Sequence, residues 1–165
     1  MKKIVPALIL LLAGLFIIIF LSTRNRDERQ IRKSLISLAS MVSKSGNENE
    51  VMALANIQKI KTLFTRNCRI AVGAPIPEIR GHDMLMSTVY QARKMVNKID
   101  VDFYDISIII GDKQVTARTT MTVKATGPDS RGDKQVIEAR EIEMRWKKIE
   151  NRWKIAEVQV IRTLR

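Results

Sequence analysis

The sequence predicts an α+β fold behind an N-terminal transmembrane helix. Beyond that helix it predicts three helices on one face of a bent, mostly antiparallel sheet of four to five strands. Three observations carry this. The run Ile4–Leu21, "IVPALILLLAGLFIIIFL", holds 18 residues without a charge. Apolar residues then recur at helical spacing as far as Val96, with one short interruption. From Val101 onward the apolar period drops to two, which is the period of strands.

A helix of the uncharged run covers about 27 Å, close to the hydrocarbon thickness of a bilayer. Cleaved signal peptides have shorter apolar cores that end in small residues. Here the exit is "IFLSTRNR", with bulky Phe20 and Leu21 ahead of Ser22. Residues 1–23 are therefore expected to stay as a signal anchor. Pro6 near the helix start and Gly14 within the span both suit a membrane helix. Lys2 and Lys3 precede the run; Arg24, Arg26, Arg29, Arg32 and Lys33 follow it as a membrane-proximal basic group. Counted over both flanks, charge favours a cytoplasmic C-terminal side. The "MKK" start before a long apolar run is instead the layout of a bacterial export signal. The reading adopted, against the charge count, is a single pass of the bacterial inner membrane with a periplasmic or extracellular-side domain.

Residues 24–46 are expected to form a juxtamembrane segment and first helix, and 47–165 the remainder of the domain. Ile31, Leu35, Leu38, Met41 and Val42 make one helical stripe, which Gly46 ends. This helix is expected to run on from the membrane span. A second helix follows, capped by Asn47 or Asn49, with Val51, Leu54, Ala55, Ile57, Ile60, Leu63 and Phe64 at helical spacing. "CRIAV" reads as a short strand, and "GAPIPEIRG" as a loop because of its two prolines. A third helix starts at "HDM", capped by His82 or Asp83, with Met84 or Leu85, Val89, Ala92 and Val96 inward. Four long strands complete the chain. "DVDFYDISIII" changes parity after Phe103, the mark of a β-bulge. "TARTTMT" alternates cleanly, "ENR" closes the last hairpin, and the final strand slips near Ile155 and Ala156.

Charge and composition narrow the function classes. The chain carries a formal +12, and the part beyond the apolar run keeps +10. That balance suits anionic lipid head groups or an acidic protein partner. No run of five like charges occurs, and basic and acidic residues alternate as in "REIEMRWKKIENR". Aromatics make up 5% of the chain, so no stacking platform for nucleic acid is visible and none is expected as a partner. Cys68 and His82 are the single Cys and His, which excludes a disulfide within the chain and a Cys/His zinc site. Cys68 reads as a small core residue. There is no phosphate loop, no nucleophile elbow and no metal-ligand spacing. Neither a metal nor another cofactor is expected.

The helix pair before a short strand, "GHD" opening the third helix, the bulged strand after it and the terminal hairpin "RWKKIENRWKIAEVQV" resemble the nuclear transport factor 2-like, or SnoaL-like, superfamily. The resemblance spans roughly residues 27–165. It implies a cone, in which a curved sheet wraps three helices. Family enzymes such as ketosteroid isomerases and dehydratases place Asp, Tyr or His in the cone; no full catalytic set matches this chain. Anchored, exported proteins of similar layout, the assembly factors of type IV secretion systems, act as scaffolds.

Four residues are candidates for a ligand pocket. His82 with Asp83 could exchange protons, but adjacent residues on a helix diverge, which favours a cap. Glu138 and Arg140 share the parity of Val136, Ile142, Met144 and Trp146, so they point inward unless a bulge near Ala139 turns them out, the reading preferred here. Tyr104 sits at the expected bulge, either as a hydrogen-bond donor or as a packed core residue. The function expected is a membrane-anchored, non-catalytic interaction or assembly module. Its expected partners are the lipid bilayer, anionic head groups and either further copies of itself or other membrane-complex proteins. A small-molecule or lipid-binding cone, isomerase- or dehydratase-like, is the alternative.

Overall fold

The computed structural model describes residues 4–73, 76–128 and 134–164, with side chains described for 23–73, 76–128 and 138–161. Three helices, α1 (Ile4–Val42), α2 (Glu50–Leu63) and α3 (Gly81–Met95), accompany six strands. The strands are β1 (Phe64–Ala71), β2 (Ile79–Arg80), β3 (Asp100–Ile110), β4 (Thr116–Pro128), β5 (Lys134–Ile149) and β6 (Arg152–Leu164). They form one curved sheet in the order β2-β1-β6-β5-β4-β3. Every neighbouring pair is antiparallel except β1 and β6, which run parallel.

α1 is one unbroken helix of 39 residues. Among the residues whose side chains are described, no helix is long and apolar enough to cross a membrane. The side chains of the uncharged run Ile4–Leu21 lie outside those residues. Within the domain the expected α1 stripe is the core: Ile31 and Leu35 are fully buried, Leu38 and Met41 nearly so. Burying side chains of this size contributes about 1.5–3 kcal/mol each. They meet Ile60, Phe64, Cys68, Leu85, Met121, Met144, Trp146 and Ile155 in one cluster. Thr119 is also fully buried, and the Trp146 indole donates to its hydroxyl at 3.0 Å.

The sheet has six strands rather than four to five. The additional strand, β2, lies in the segment assigned to a loop: Ile79 is buried and pairs with Ile70, and Glu78 bridges Arg69 and Arg80. β1 begins at Phe64, four residues earlier than the "CRIAV" reading, because Phe64 turns out of α2 to pair with Ile155. Only Ile57 and Ile60 of α2 are buried, while Val51 and Leu54 stay exposed. Asn49 caps α2, accepting from the Met52 N–H at 2.8 Å.

The bulges fall close to their expected places. In β3, Asp105 and Ile106 together oppose Met121, and Asp105 takes a positive φ of 52°. In β6 the extra residue near the expected place is Ala156, with Trp153 and Ile155 buried before it and Val158 after it; a second extra residue, Ile161, falls where no slip is expected. Glu150 and Asn151 both have positive φ, the geometry of a tight two-residue hairpin turn.

Two buried charged groups join the helices. Arg93 of α3 donates from Nη1 to the carbonyls of Met41 at 2.7 Å and Val42 at 3.2 Å, and from Nη2 to that of Ser43 at 3.2 Å. Those carbonyls at the C-terminal end of α1 lack partners within the helix. The Glu48 carboxylate, 4% exposed, pairs with the same guanidinium. Lys44 returns the arrangement, donating to the Arg93 and Val96 carbonyls at 2.7 Å each. Each helix end is thus capped by a cation from the other segment. Arg93→Ala should destabilise the domain by about 3–5 kcal/mol, because the buried Glu48 carboxylate would lose its cation and keep only the Asn56 amide, which donates to it at 3.0 Å. Urea unfolding of the full chain in detergent reads this as a lower midpoint, and Glu48→Gln in the Arg93→Ala background should recover part of the loss.

Candidate functional site

The second half of α1 runs along the inside of the sheet, with Asp27 at the β5–β6 hairpin and the C-terminal end at the start of β3. Lys148 and Trp153 reach Asp27, while Ser43 exchanges hydrogen bonds with the Val101 backbone. The domain therefore has a hairpin end and an opposite end, and the candidate residues distribute between them.

Glu138 and Arg140 lie toward the opposite end. The β4–β5 register places the extra bulge residue at Ile137, ahead of both rather than at Ala139. They therefore keep the parity of Ile142 and Met144, so the preferred reading that a bulge turns them outward is corrected. Their side chains pair with each other, and Arg140 Nη1 donates to the Val72 carbonyl at 3.1 Å. Glu138 stays 45% exposed, which marks a rim position rather than an interior one.

His82 sits elsewhere. Its Nε2 lies 3.2 Å from the Phe64 carbonyl, beside a cleft lined by Gln30, Lys61, Arg152 and Lys154 near the hairpin end. Neither His82 nor Asp83 caps α3. The N-cap position is Arg80, with no side-chain cap hydrogen bond, and Gly81 follows with a positive φ of 74°. The helix enters through that glycine directly from β2, which leaves no residue free for a cap. Tyr104 pairs with Thr122 one step ahead of the bulge and is 47% exposed, on the face opposite Val101 and Phe103. The four candidates thus occupy three places, and the only two brought together are Glu138 and Arg140.

Two charged groups outside these four candidates are more deeply placed. Asp27, 4% exposed, accepts from Lys148 Nζ at 2.7 Å and from the Trp153 indole at 3.0 Å. Arg93, 6% exposed, is spent on α1 and Glu48. Both extend an apolar stripe: Asp27 precedes Ile31 by one turn, and Arg93 follows Val89 by one turn. Cys68 is fully buried, and desolvation pushes its thiol above the ordinary range against the opposing backbone hydrogen bonds of Cys68 and Gly81. No group of three or more potential metal ligands converges among the described residues.

The outer face of the sheet is different in kind. An open groove of about 1030 Å³ runs across it, lined by Asn67, Arg69, Ile109, Arg118, Arg145 and Glu157 among others. Cross-strand ion pairs lace this face: Arg145 reaches Glu143 at 3.1 Å and Glu157 at 3.2 Å, and Arg118 lies 3.7 Å from Glu143. Beside it, Arg69 and Arg80 hold the Glu78 carboxyl below its ordinary value, and Glu78 in turn raises Arg69.

Comparison with solved structures identifies the architecture. An NTF2-like protein with a cystatin-like fold from Novosphingobium aromaticivorans superposes with a TM-score of 0.67 at 11% identity, covering 85% of this chain and 86% of that one. The chain has the nuclear transport factor 2-like fold. A candidate scytalone dehydratase from the same organism gives 0.66 at 14% identity, over 87% of this chain and 88% of the other. A candidate aromatic ring hydroxylase, also from that organism, gives 0.64 at 15% identity, over 82% and 87%. No protein-family model and no curated protein matches the sequence. At such identities the likeness fixes the fold, and the chemistry has to be read from this chain's own side chains.

The thiol supplies a check on the packing. Cys68 should react with iodoacetamide at neutral pH at least about a hundredfold more slowly in the native chain than in urea, since reaction waits for opening. The native state favours the protonated thiol. That contribution is full below the unfolded thiol value and is lost as pH rises through the raised native one. Alkylation followed by mass spectrometry across pH 7 to 10 reads both effects.

Proposed function

We propose that the chain is a membrane-tethered, non-catalytic interaction and assembly module, with its folded domain on the outer side of a bacterial inner membrane. The observation that carries this reading is α1. One continuous helix joins the uncharged run to the domain core, and its second half supplies Ile31, Leu35, Leu38 and Met41 to that core. A tether that is also a core element gives the domain a set orientation toward the bilayer, which a flexible linker would not. On this reading residues 1–23 are the anchor, and 24–165 are the juxtamembrane segment and domain. The outer sheet face is the contact surface, for a further copy of the chain or for another membrane-complex protein. Its outward threonines and paired charges remain solvated alone and can exchange partners when covered.

A second reading is favoured by one observation: Glu138 and Arg140 share the inward parity at the rim of the cone. On that reading the cone takes a small molecule or a lipid, as would suit a fold whose solved examples include candidate dehydratases and hydroxylases.

Gentle solubilisation of membranes carrying the full chain, then identification of co-purifying proteins, separates the two. The assembly reading expects the chain in the membrane fraction with protein partners, and a C-terminal reporter active only outside the cytoplasm. Glu138→Ala and Arg140→Ala should leave those partners in place, with a stability change of about 1 kcal/mol or less for the exposed Glu138 and a larger one for the half-buried Arg140, which also holds the Val72 carbonyl. Loss of function in either variant, with the fold intact by circular dichroism, would favour the pocket instead. A reporter active only in the cytoplasm would contradict the assigned side.

A further inference from the structure

We infer that the hairpin end of the domain docks on an anionic bilayer surface, so that the protein meets the membrane through its sheet as well as through its helix. This rests on the tethered reading above and deepens it.

The placement comes from Asp27. Its bonds to Lys148 and Trp153 bring the β5–β6 hairpin to the level of that helical turn. Asp27 lies six residues past Leu21, the last apolar residue of the run. Six residues of helix rise about 9 Å. The hairpin turn Glu150–Asn151 stands two residues beyond Lys148, so it reaches up to about 7 Å further toward the apolar run. The β3–β4 turn joins it at the same level, because the Lys148 N–H donates to the Val115 carbonyl at 2.8 Å.

The surface gathered there is basic with an apolar tip. Lys113, Lys147 and Arg152 are exposed and Lys154 is half-buried. Val115 and Ile149 are 50% and 41% exposed at the same end. Asp112 and Glu150 are the acidic residues of the two turns, and Lys148 is neutralised by Asp27. Cations around exposed aliphatic side chains match a lipid surface, where head groups take the charge and the interface takes the side chains. Within one Debye length of the head groups, about 8 Å, such charges act; beyond it they are screened. Arg24 and Arg26 on α1 lie inside that range. Lys33, twelve residues past Leu21, stands about 18 Å away, so the basic group Arg24 to Lys33 works mainly through its first members.

The test uses the full chain in a Cys68→Ala background, reconstituted into vesicles of phosphatidylcholine alone or mixed with phosphatidylglycerol. One nitroxide is placed by Ile149→Cys at the hairpin, and another by Met95→Cys, 85% exposed on α3 away from the hairpin end. In mixed vesicles the label at 149 should lose collisions with a water-soluble paramagnet and gain them with oxygen, while the label at 95 stays in water. Salt should reverse this. The triple variant K147A/R152A/K154A should lower the docked-to-free ratio about a hundredfold, at about fivefold per cation. A label at 149 as water-exposed as that at 95, in a chain that floats with the vesicles, overturns the proposal alone. A chain that does not float overturns the tethered reading and the proposal with it. Protection indifferent to phosphatidylglycerol, or accompanied by spin–spin broadening between chains, also overturns it, the latter because the face would then join two copies.

Discussion

One buried carboxylate couples the long helix to the sheet. Asp27 accepts from Lys148 of β5 and Trp153 of β6, the two residues that face each other across the last hairpin. Lys148 also lies over the Trp153 ring at 5.5 Å. Hydrogen bonds to a charged group contribute about 1.5–3 kcal/mol, more than neutral ones. The stripe Ile31, Leu35, Leu38 and Met41 fills the cone without fixing the helix against rolling or sliding, since apolar contact is non-directional. Asp27 supplies direction at one end, and Arg93 with Glu48 and Lys44 supplies it at the other.

That arrangement engages the deeply buried charges, while the four pocket candidates lie at three separate places. Trp146, Met121 and Met144 pack into the core from the sheet, and the buried charges Asp27 and Arg93 are engaged in holding α1. Glu138 and Arg140 remain at the rim, paired with each other. Ion-paired side chains lie instead on the outer face of the sheet, and exposed cations gather at the hairpin end.

Much of this was legible in the chain, for reasons that differ by element. The α1 stripe and the β4 alternation were plain because one face of each is buried and the other solvated. The bulges in β3 and β6 showed as changes of parity, which only an extra residue can produce. Asp27 and Arg93 were legible in principle, each one turn beyond an apolar stripe; a charged residue at such a position reads as surface until its partner, far away in sequence, is known. Lys148 is 121 residues from Asp27, and Met41 is 52 from Arg93. The strand β2 left no local mark, because two residues carry no period, and the parallel pairing of β1 with β6 left none because it joins segments far apart in sequence. The buried face of α2 is not legible in its apolar residues, because they are spread around the helix and only Ile57 and Ile60 are covered.

A double-mutant cycle between Asp27→Asn and Trp153→Phe in the full chain tests the central coupling most directly. If Asp27 and Trp153 act as one unit, their urea-unfolding free energies will be non-additive by about 1 kcal/mol or more. Additivity to within about 0.3 kcal/mol would contradict the account, since the helix and hairpin would then be held independently.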